Sequence, residues 1–138
     1  MNLFVDTWGW VTLADRRQPR HQLATKFYDE RFRNPGLIVT SNFVLDELFT
    51  MLFATRPFSL ASGFCNSLLA SPRLTMEFVS PDRFAAAFEF RLKLADKPNI
   101  SFTDITSMVI MRELGIVDVM TGDHHFQQVN LGFRTLPE

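Results

Sequence analysis

Short apolar runs alternate with longer stretches of helical periodicity along this chain. The runs LFV at residues 3–5 and LIV at residues 37–39 are apolar at every position, which is typical of strands buried on both faces of a sheet. Between them, Leu23, Ala24 and Phe27 recur at the three- and four-residue spacing of one helix face. The same reasoning predicts further strands at residues 76–79, 117–121 and, at an edge of the sheet, 133–136.

Capping residues mark the helices that separate these strands. Ser101 and Asp104 have the spacing of a capping box, and Gly115 is placed to stop the helix that they open. Helices are predicted at about residues 8–14, 20–32, 43–54, 60–70, 81–94 and 102–114. Strands that alternate with helices predict an α/β fold, with a mostly parallel sheet of four to five strands between two helical layers. No linker or repeat interrupts the pattern, so we expect a single domain over residues 1–138.

Composition narrows the class of protein. Of the 138 residues, 46% are hydrophobic and 21% are charged, which excludes a disordered or fibrous chain. Cys65 is the single cysteine, so neither a disulfide framework nor a cysteine zinc site can form within the chain. No apolar stretch reaches the ~20 residues of a membrane span, and the first residues lack the basic region of a signal peptide. These features predict a soluble, cytoplasmic protein with no membrane association.

Acidic residues fall where the predicted strands end. Asp6 follows the first strand, Asp123 follows the fourth, and Asp104 opens a helix that leads to it. In the helix after the second strand, periodicity does not choose between Asp46 and Glu47. Each acid alone is also explained as a helix cap or a turn residue. Carboxylates gathered at one sheet edge repel one another unless a cation neutralises them, and oxygen ligands favour Mg²⁺ or Mn²⁺.

Four segments, in order along the chain, carry a family likeness. They are VDTWGW (5–10), TSNFVLDEL (40–48), SFTDITSMVIMRELGI (101–116) and TGDHHF (121–126). Together they resemble the motifs of the PIN domain family, in particular the VapC-like toxins of prokaryotic toxin–antitoxin pairs. The resemblance covers essentially the whole chain and implies a PIN-like α/β/α sandwich.

The resemblance also implies a function and a set of site residues. It implies an endoribonuclease that depends on Mg²⁺ or Mn²⁺ and is the toxin of a toxin–antitoxin pair. Asp6, Glu47, Asp104 and Asp123 correspond to the catalytic acids of the family, which selects Glu47 over Asp46. Asp6, Asp104 and Asp123 would ligate the metal. The expected partners are an RNA substrate, a cognate antitoxin protein and a second copy of the chain in a homodimer.

RNA contacts require a local feature, because the 14 basic and 15 acidic residues leave a net charge of only −1. Arg16, Arg17 and Arg20 form a basic cluster beyond the Asp6 end of the sheet and are candidates for holding phosphates. A solvated loop explains the same cluster equally well. Thr7 corresponds to a small polar residue beside the site of the family and is a further candidate for substrate binding.

Other interpretations of the same residues have to be weighed. His124 and His125 follow an acid, but adjacent histidines with no partnering cysteine do not predict a zinc site. A phosphoryl-transfer protein with a phosphorylated Asp6 is an alternative, yet the sequence shows no second acid at residue 8 and no suitable lysine. A second alternative is a non-catalytic module with the PIN fold that takes part in RNA processing or in an interaction. Phe49 and Phe53 widen the apolar arc of the third helix, which indicates either core packing or a partner surface.

Overall fold

The computed structural model describes residues 1–138 and contains five strands and seven helices. The strands are β1 (Leu3–Val5), β2 (Ile38–Ser41), β3 (Leu74–Glu77), β4 (Asp118–Met120) and β5 (Arg134–Leu136). The helices are α1 (Thr7–Ala14), α2 (His21–Arg33), α3 (Asn42–Thr55), α4 (Phe58–Ala70), α5 (Pro81–Leu92), α6 (Phe102–Leu114) and α7 (His125–Gln128). None of these helices combines the length and the apolar character that crossing a membrane requires.

The five strands form one sheet in the order β3-β2-β1-β4-β5, and every neighbouring pair is parallel. The predicted α/β fold with a mostly parallel sheet is confirmed. The chain extends the sheet from β1 through β2 to β3, and then returns to the other side of β1 for β4 and β5. Side chains of β1 and β4 are buried at every position, as expected for the centre of a covered sheet.

Four elements differ by two residues from the sequence-based expectation, and one helix was not predicted. Strand β2 ends at Ser41 rather than at residue 39, and helix α4 begins at Phe58 rather than at residue 60. Strand β3 spans Leu74–Glu77 rather than residues 76–79, because it is an edge strand whose four side chains are all half-buried and show no apolar run. Helix α5 ends at Leu92 rather than at residue 94. Helix α7 has only four residues, too few to produce a periodic pattern, and was not predicted.

Helix α1 lies against the sheet because residue 9 is glycine. A Cβ atom at Gly9 would lie 2.5 Å from the carbonyl oxygen of Met120 and 2.9 Å from Cγ1 of Val5. One residue later, Trp10 is fully buried, and its Nε1 donates a hydrogen bond to Oγ1 of Thr40 at 3.1 Å. The start of α1 is therefore held directly over the ends of β1 and β4.

Helix α6 begins and ends at the predicted residues. The Oγ atom of Ser101 accepts a hydrogen bond from the backbone N–H of Asp104 at 3.0 Å. Gly115 ends the helix with a φ of 68°, a left-handed conformation that glycine adopts without strain. The reciprocal half of a capping box is absent, because the Asp104 carboxylate contacts His125 instead.

A buried ion pair lies at the amino end of β4. Asp118 is fully buried and accepts hydrogen bonds from Arg134 Nε at 2.8 Å, Arg134 Nη2 at 2.9 Å and Arg31 Nη2 at 2.5 Å. Burial raises the pKa of Asp118, but the hydrogen bonds from Arg134 and Arg31 outweigh burial, and the net shift of the pKa is downwards. This aspartate therefore stabilises the fold as an anion.

Candidate active site

The predicted acids lie where the strand order changes direction. The chain leaves β1 towards β2 on one side, while β4 occupies the other side, so the loops that follow β1 and β4 diverge and leave a crevice between them. Ligands of open α/β sheets bind in such crevices beyond the carboxyl ends of the strands. Asp6 directly follows β1, and Asp123 follows β4 in the loop before α7.

Asp6 is fixed by two hydrogen bonds in a buried position. Its Oδ1 accepts from the backbone N–H of Gly9 at 3.0 Å and so caps α1, and its Oδ2 accepts from the hydroxyl of Thr121 at 2.6 Å. Burial raises the pKa of Asp6 to about 7. The hydrogen bonds from Thr121 and Gly9 oppose this rise, and the negative charges of Asp104 and Asp123 add to it. The surroundings of Asp6 therefore disfavour the charged form of its carboxyl group.

Asp104, Asp123 and His125 form the most compact part of the site. Nδ1 of His125 lies 3.0 Å from Oδ2 of Asp104 and 3.1 Å from Oδ2 of Asp123. One ligand atom from each of the three residues can be chosen so that all lie within 4.8 Å of one another. Burial raises the pKa of Asp104, a hydrogen bond from His125 opposes this, and the charge of Asp123 raises the pKa further.

Thr121 connects the two halves of the site. Its hydroxyl donates to Asp6 and accepts from the backbone N–H of Asp123 at 3.0 Å. The backbone N–H of His125 in turn donates to Oδ1 of Asp123 at 2.9 Å, which shapes residues 123–125 as a turn closed by the aspartate. The loop after β4 is therefore held in one conformation by side chains of the site itself.

Glu47 reaches the same edge of the sheet from α3. It is half-buried, and its charge contributes to the raised pKa of Asp104, whereas the neighbouring Asp46 is exposed to solvent. Of the two acids that helical periodicity left open, Glu47 is the one whose charge acts on Asp104.

The donor set fits a divalent cation. The pKa values of Asp6 and Asp104 are raised by burial and by neighbouring acids, and His125 offsets this only in part for Asp104; a divalent ion would supply the remaining positive charge. The donors are carboxylate oxygens and one imidazole nitrogen, which suit a hard or intermediate metal ion.

An open groove of about 620 Å³ leads to this cluster. Asp123, His125, Trp8 and Arg20 are among the residues that line it. Nη2 of Arg20 donates hydrogen bonds to the carbonyl oxygens of Pro137 and Glu138 at 2.8 and 3.2 Å. The groove is therefore bordered by one cation and by an exposed aromatic ring.

Comparison with known proteins identifies the family. No family profile matches the chain. The 23S rRNA-specific endonuclease VapC20 of Mycobacterium tuberculosis, found in two strains, is 31% identical over 124 residues, which cover 90% of this chain and 91% of VapC20. The chain belongs to the VapC family of PIN-domain proteins. The resemblance inferred from the four sequence motifs is confirmed.

Solved structures of VapC-family proteins share the fold. The crystal structure of M. tuberculosis VapC20, described as a sarcin-ricin loop cleaving toxin, superposes with a TM-score of 0.83 at 29% identity over 96% of each chain. The crystal structure of VapBC2 from Rickettsia felis, bound to a DNA fragment from its promoter, gives a TM-score of 0.77 over 98% of each chain. Identity to the latter is 18%, so it supports the fold alone.

The four residues predicted to contact substrate in this VapC-family chain have different positions. Arg20 lines the groove, whereas Arg16 and Arg17 lie outside its wall. Arg17 is largely exposed, and its Nε lies 3.3 Å from Oδ1 of Asp15. Thr7 is buried in the first turn of α1, next to Asp6. Arg20 is therefore the member of the basic cluster that the fold brings to the groove.

Sequence reasoning missed two residues of the site in this VapC-family chain. His125 contacts both Asp104 and Asp123, although the histidine pair was set aside because no cysteine accompanies it. Thr121 was treated only as the end of a strand. The available signal was the spacing of Asp123 and His125, since a turn closed by an aspartate side chain brings the residue two positions later back beside it.

Proposed function

We propose that this chain is a divalent-metal-dependent endoribonuclease that hydrolyses RNA phosphodiester bonds as the toxin of a toxin–antitoxin pair. Membership of the VapC family supports the proposal, because its relative VapC20 is a 23S rRNA-specific endonuclease. The observation that carries it is the cluster of Asp104, Asp123 and His125 beside the buried Asp6, of which Asp123 and His125 line an open groove. A loop of 23S rRNA is accordingly the first substrate to test.

Mg²⁺ or Mn²⁺ is the proposed metal. Asp6, Asp104 and Asp123 would hold it, with His125 as an additional nitrogen donor. When bound, such an ion neutralises charge on the phosphate oxygens and lowers the pKa of a coordinated water. Imidazole is a softer donor than carboxylate, and its presence favours Mn²⁺ in this pair.

The other side chains of the site would orient the carboxylates and accept a proton. Hydrogen bonds from Gly9 and Thr121 orient the Asp6 carboxylate, and contact with His125 orients those of Asp104 and Asp123. We propose Glu47 as the base that accepts a proton from the attacking water, since it is half-buried at the edge of the cluster. In-line attack forms the new P–O bond and breaks the bond from phosphorus to O3′. The products are a 5′-phosphate and a 3′-hydroxyl, the latter protonated from solvent.

Substrate contacts outside the metal cluster are assigned to Arg20 first. Its position in the groove supports a contact with a phosphate that flanks the cleaved bond. Arg16 and Arg17 would add a longer-range attraction from outside the groove. Thr7 would act through its neighbour Asp6 by fixing the first turn of α1.

An antitoxin and a second copy of the chain are the proposed protein partners. Phe49 and Phe64 pack against the core, but Phe53 and Phe58 remain 46% and 76% exposed with ring centroids 5.6 Å apart. A separate exposed aromatic pair, Phe84 and Phe88, lies on α5. Two apolar patches on one small chain support more than one protein contact.

Cleavage of an rRNA loop in the presence and absence of a chelator tests the proposed function. We expect Asp104→Asn and Glu47→Gln to reduce the rate by about 100-fold or more, because each removes a group of the reacting centre. Asp46→Asn, one residue away and exposed, is the matched control and should retain full activity.

Two outcomes would contradict the proposal. One is cleavage that continues undiminished in the chelator, and the other is full activity of Asp104→Asn. RNA binding without cleavage in any metal would favour the non-catalytic module instead.

A further inference from the structure

The chain has two tryptophans two residues apart in α1, in opposite environments. Trp10 is 1% exposed, and its ring packs edge-on against Tyr28 and Phe64 with centroids 5.8 and 6.4 Å away. Trp8 is 44% exposed. Core packing therefore accounts for Trp10 and leaves Trp8 without a structural explanation.

Trp8 lies in the wall of the groove that leads to the acidic cluster. It is the largest apolar side chain among the ten residues that line this groove, and the small ring of Pro19 is the other apolar one. Asp123 and His125 share the groove with it, and Trp8 follows the buried Asp6 by two residues. A large indole surface is thus exposed to solvent within a mostly polar groove, next to the acidic cluster.

We infer that Trp8 is a stacking platform for one unpaired nucleobase of the RNA next to the cleaved phosphate. The inference rests on the proposed function. Single-stranded loops are recognised by stacking unpaired bases on aromatic side chains, and indole offers the largest such surface. Arg20 in the same groove provides the positive charge that a neighbouring phosphate requires.

The composition of the groove favours a nucleobase over a protein segment. A docking peptide helix needs a continuous apolar face, and here the lining of the groove offers only the indole ring of Trp8 and the small ring of Pro19. Gln18 and Gln128 line the same groove and carry amide groups that can donate to and accept from the edge of a base. One aromatic face with amide groups around it matches a single base.

Fluorescence of the two tryptophans reports on this contact directly. The experiment uses the Asp104→Asn protein with Mg²⁺ and a short RNA that has the sequence of the 23S rRNA loop named above as the first substrate to test. Stacking on Trp8 quenches its emission, while the buried Trp10 remains an internal reference. In this background, Trp8→Leu keeps an apolar side chain but removes the ring, and Trp8→Phe keeps a smaller ring.

We expect Trp8→Leu to weaken RNA binding by about 5- to 100-fold, as loss of one stacked base does, and Trp8→Phe to weaken it by about threefold. Removing the stacked base from the RNA, by an abasic substitution at one nucleotide, should weaken binding by the same factor in the protein that retains Trp8. In the Trp8→Leu protein, the abasic substitution should weaken binding no further. Phe58→Leu is the matched control, because Phe58 is 76% exposed and lies outside the groove.

Equal RNA affinity of the Trp8 and Trp8→Leu proteins would overturn the inference, and so would quenching by an antitoxin segment but not by RNA. The two proposals can fail separately. If wild-type protein does not cleave RNA but binding depends on Trp8, the nuclease is wrong and the stacking site remains. If wild-type protein cleaves RNA and Trp8→Leu binds and cleaves equally well, only the stacking site is wrong.

Discussion

Two buried aspartates on adjacent strands have pKa values that are shifted in opposite directions. Asp6, after β1, is buried among other acids, and its pKa rises to about 7. Asp118, at the start of β4, is held by Arg31 and Arg134, and its pKa falls. The same side chain therefore opposes folding at one end of the sheet and supports it at the other, which gives two predictions of opposite sign.

We expect Asp6→Asn to stabilise the metal-free protein at pH 8 by roughly 1–3 kcal/mol, since one pKa unit corresponds to about 1.4 kcal/mol. Asparagine still caps α1 through Gly9, and its amide can donate to Thr121. The pKa of Asp6 is higher in the folded state than in the unfolded state. Its stabilising contribution is therefore complete below about pH 4 and is lost as the pH rises through about 7.

Urea denaturation at pH 5 and pH 8 measures this effect. The advantage of Asp6→Asn over wild type should be larger at pH 8 than at pH 5, and the variant should have no nuclease activity. A variant less stable than wild type at pH 8 would show that the charged Asp6 carboxylate does not destabilise the metal-free protein.

Asp118→Asn should destabilise the protein by about 3 kcal/mol at pH 7, because it leaves the mostly buried Arg31 without its counter-ion. Here the pKa in the folded state is lowered. The contribution of Asp118 is therefore present above about pH 4 and is lost as the pH falls through its folded value. Denaturation at pH 7 and pH 3 should show a smaller difference between variant and wild type in acid. An unchanged difference would contradict the assignment.

Chain order alone predicted that Asp6 and Asp123 lie at one sheet edge, because residues that follow parallel strands meet there. The choice of Glu47 over Asp46 came only from the family resemblance, because helical periodicity left both open.

Sequence analysis could not place His125 or Trp8. Whether the histidine faces Asp104 depends on how the loop after β4 folds, and whether Trp8 or Trp10 is buried depends on how α1 is rotated about its axis. Both are set by tertiary contacts, such as those of Thr121 and Gly9.

At the scale of elements, the position of α1 depends on Gly9, which has no Cβ atom. A Cβ at residue 9 would meet the carbonyl oxygen of Met120, which cannot yield because Met120 is paired with Val5 in the sheet. Gly9→Ala must therefore displace the start of α1 and with it Asp6. We expect a loss of roughly 2 kcal/mol in the free energy of unfolding, together with a loss of activity.

Gly63→Ala in α4 is the matched control for this substitution. Its added Cβ has nothing within 4 Å, and alanine favours a helix over glycine by up to about 1 kcal/mol. Thermal denaturation should therefore show Gly9→Ala melting below wild type and Gly63→Ala at or above it. Similar melting of the two variants would mean that close packing of α1 does not constrain the site.

Elements with local signals were predicted well and elements without them were not. Helix α6 carries its own start and stop in Ser101 and Gly115, and both were recognised. Strand β3 was displaced by two residues, because its position is decided by its register with β2 rather than by its own side chains.

At the scale of the whole molecule, metal binding and folding should be coupled. A ligand that binds only the folded state raises its stability. Protons compete with a metal for Asp6, whose pKa is about 7, so the ion should bind more tightly at pH 8 than at pH 6. We expect Mn²⁺ or Mg²⁺ to raise the melting temperature more at pH 8 than at pH 6.

Differential scanning fluorimetry with a metal titration measures this coupling. Asp6→Asn should lose much of the response to metal, whereas Asp118→Asn, at the other end of the sheet, should keep it in full. An equal response of wild type at the two pH values would contradict the role of Asp6 as a ligand.

The order of the strands also has a consequence for synthesis of the protein. Asp6 belongs to the first strand, but Thr121, which holds it, and Asp123 and His125, which complete the cluster, follow β4 near the other end of the chain. A nascent chain that has emerged only as far as α6 already contains Asp6, Glu47 and Asp104 but lacks the loop that joins them. Such a chain would lack the assembled cluster, so the proposed nuclease activity would have to wait until the loop after β4 has left the ribosome.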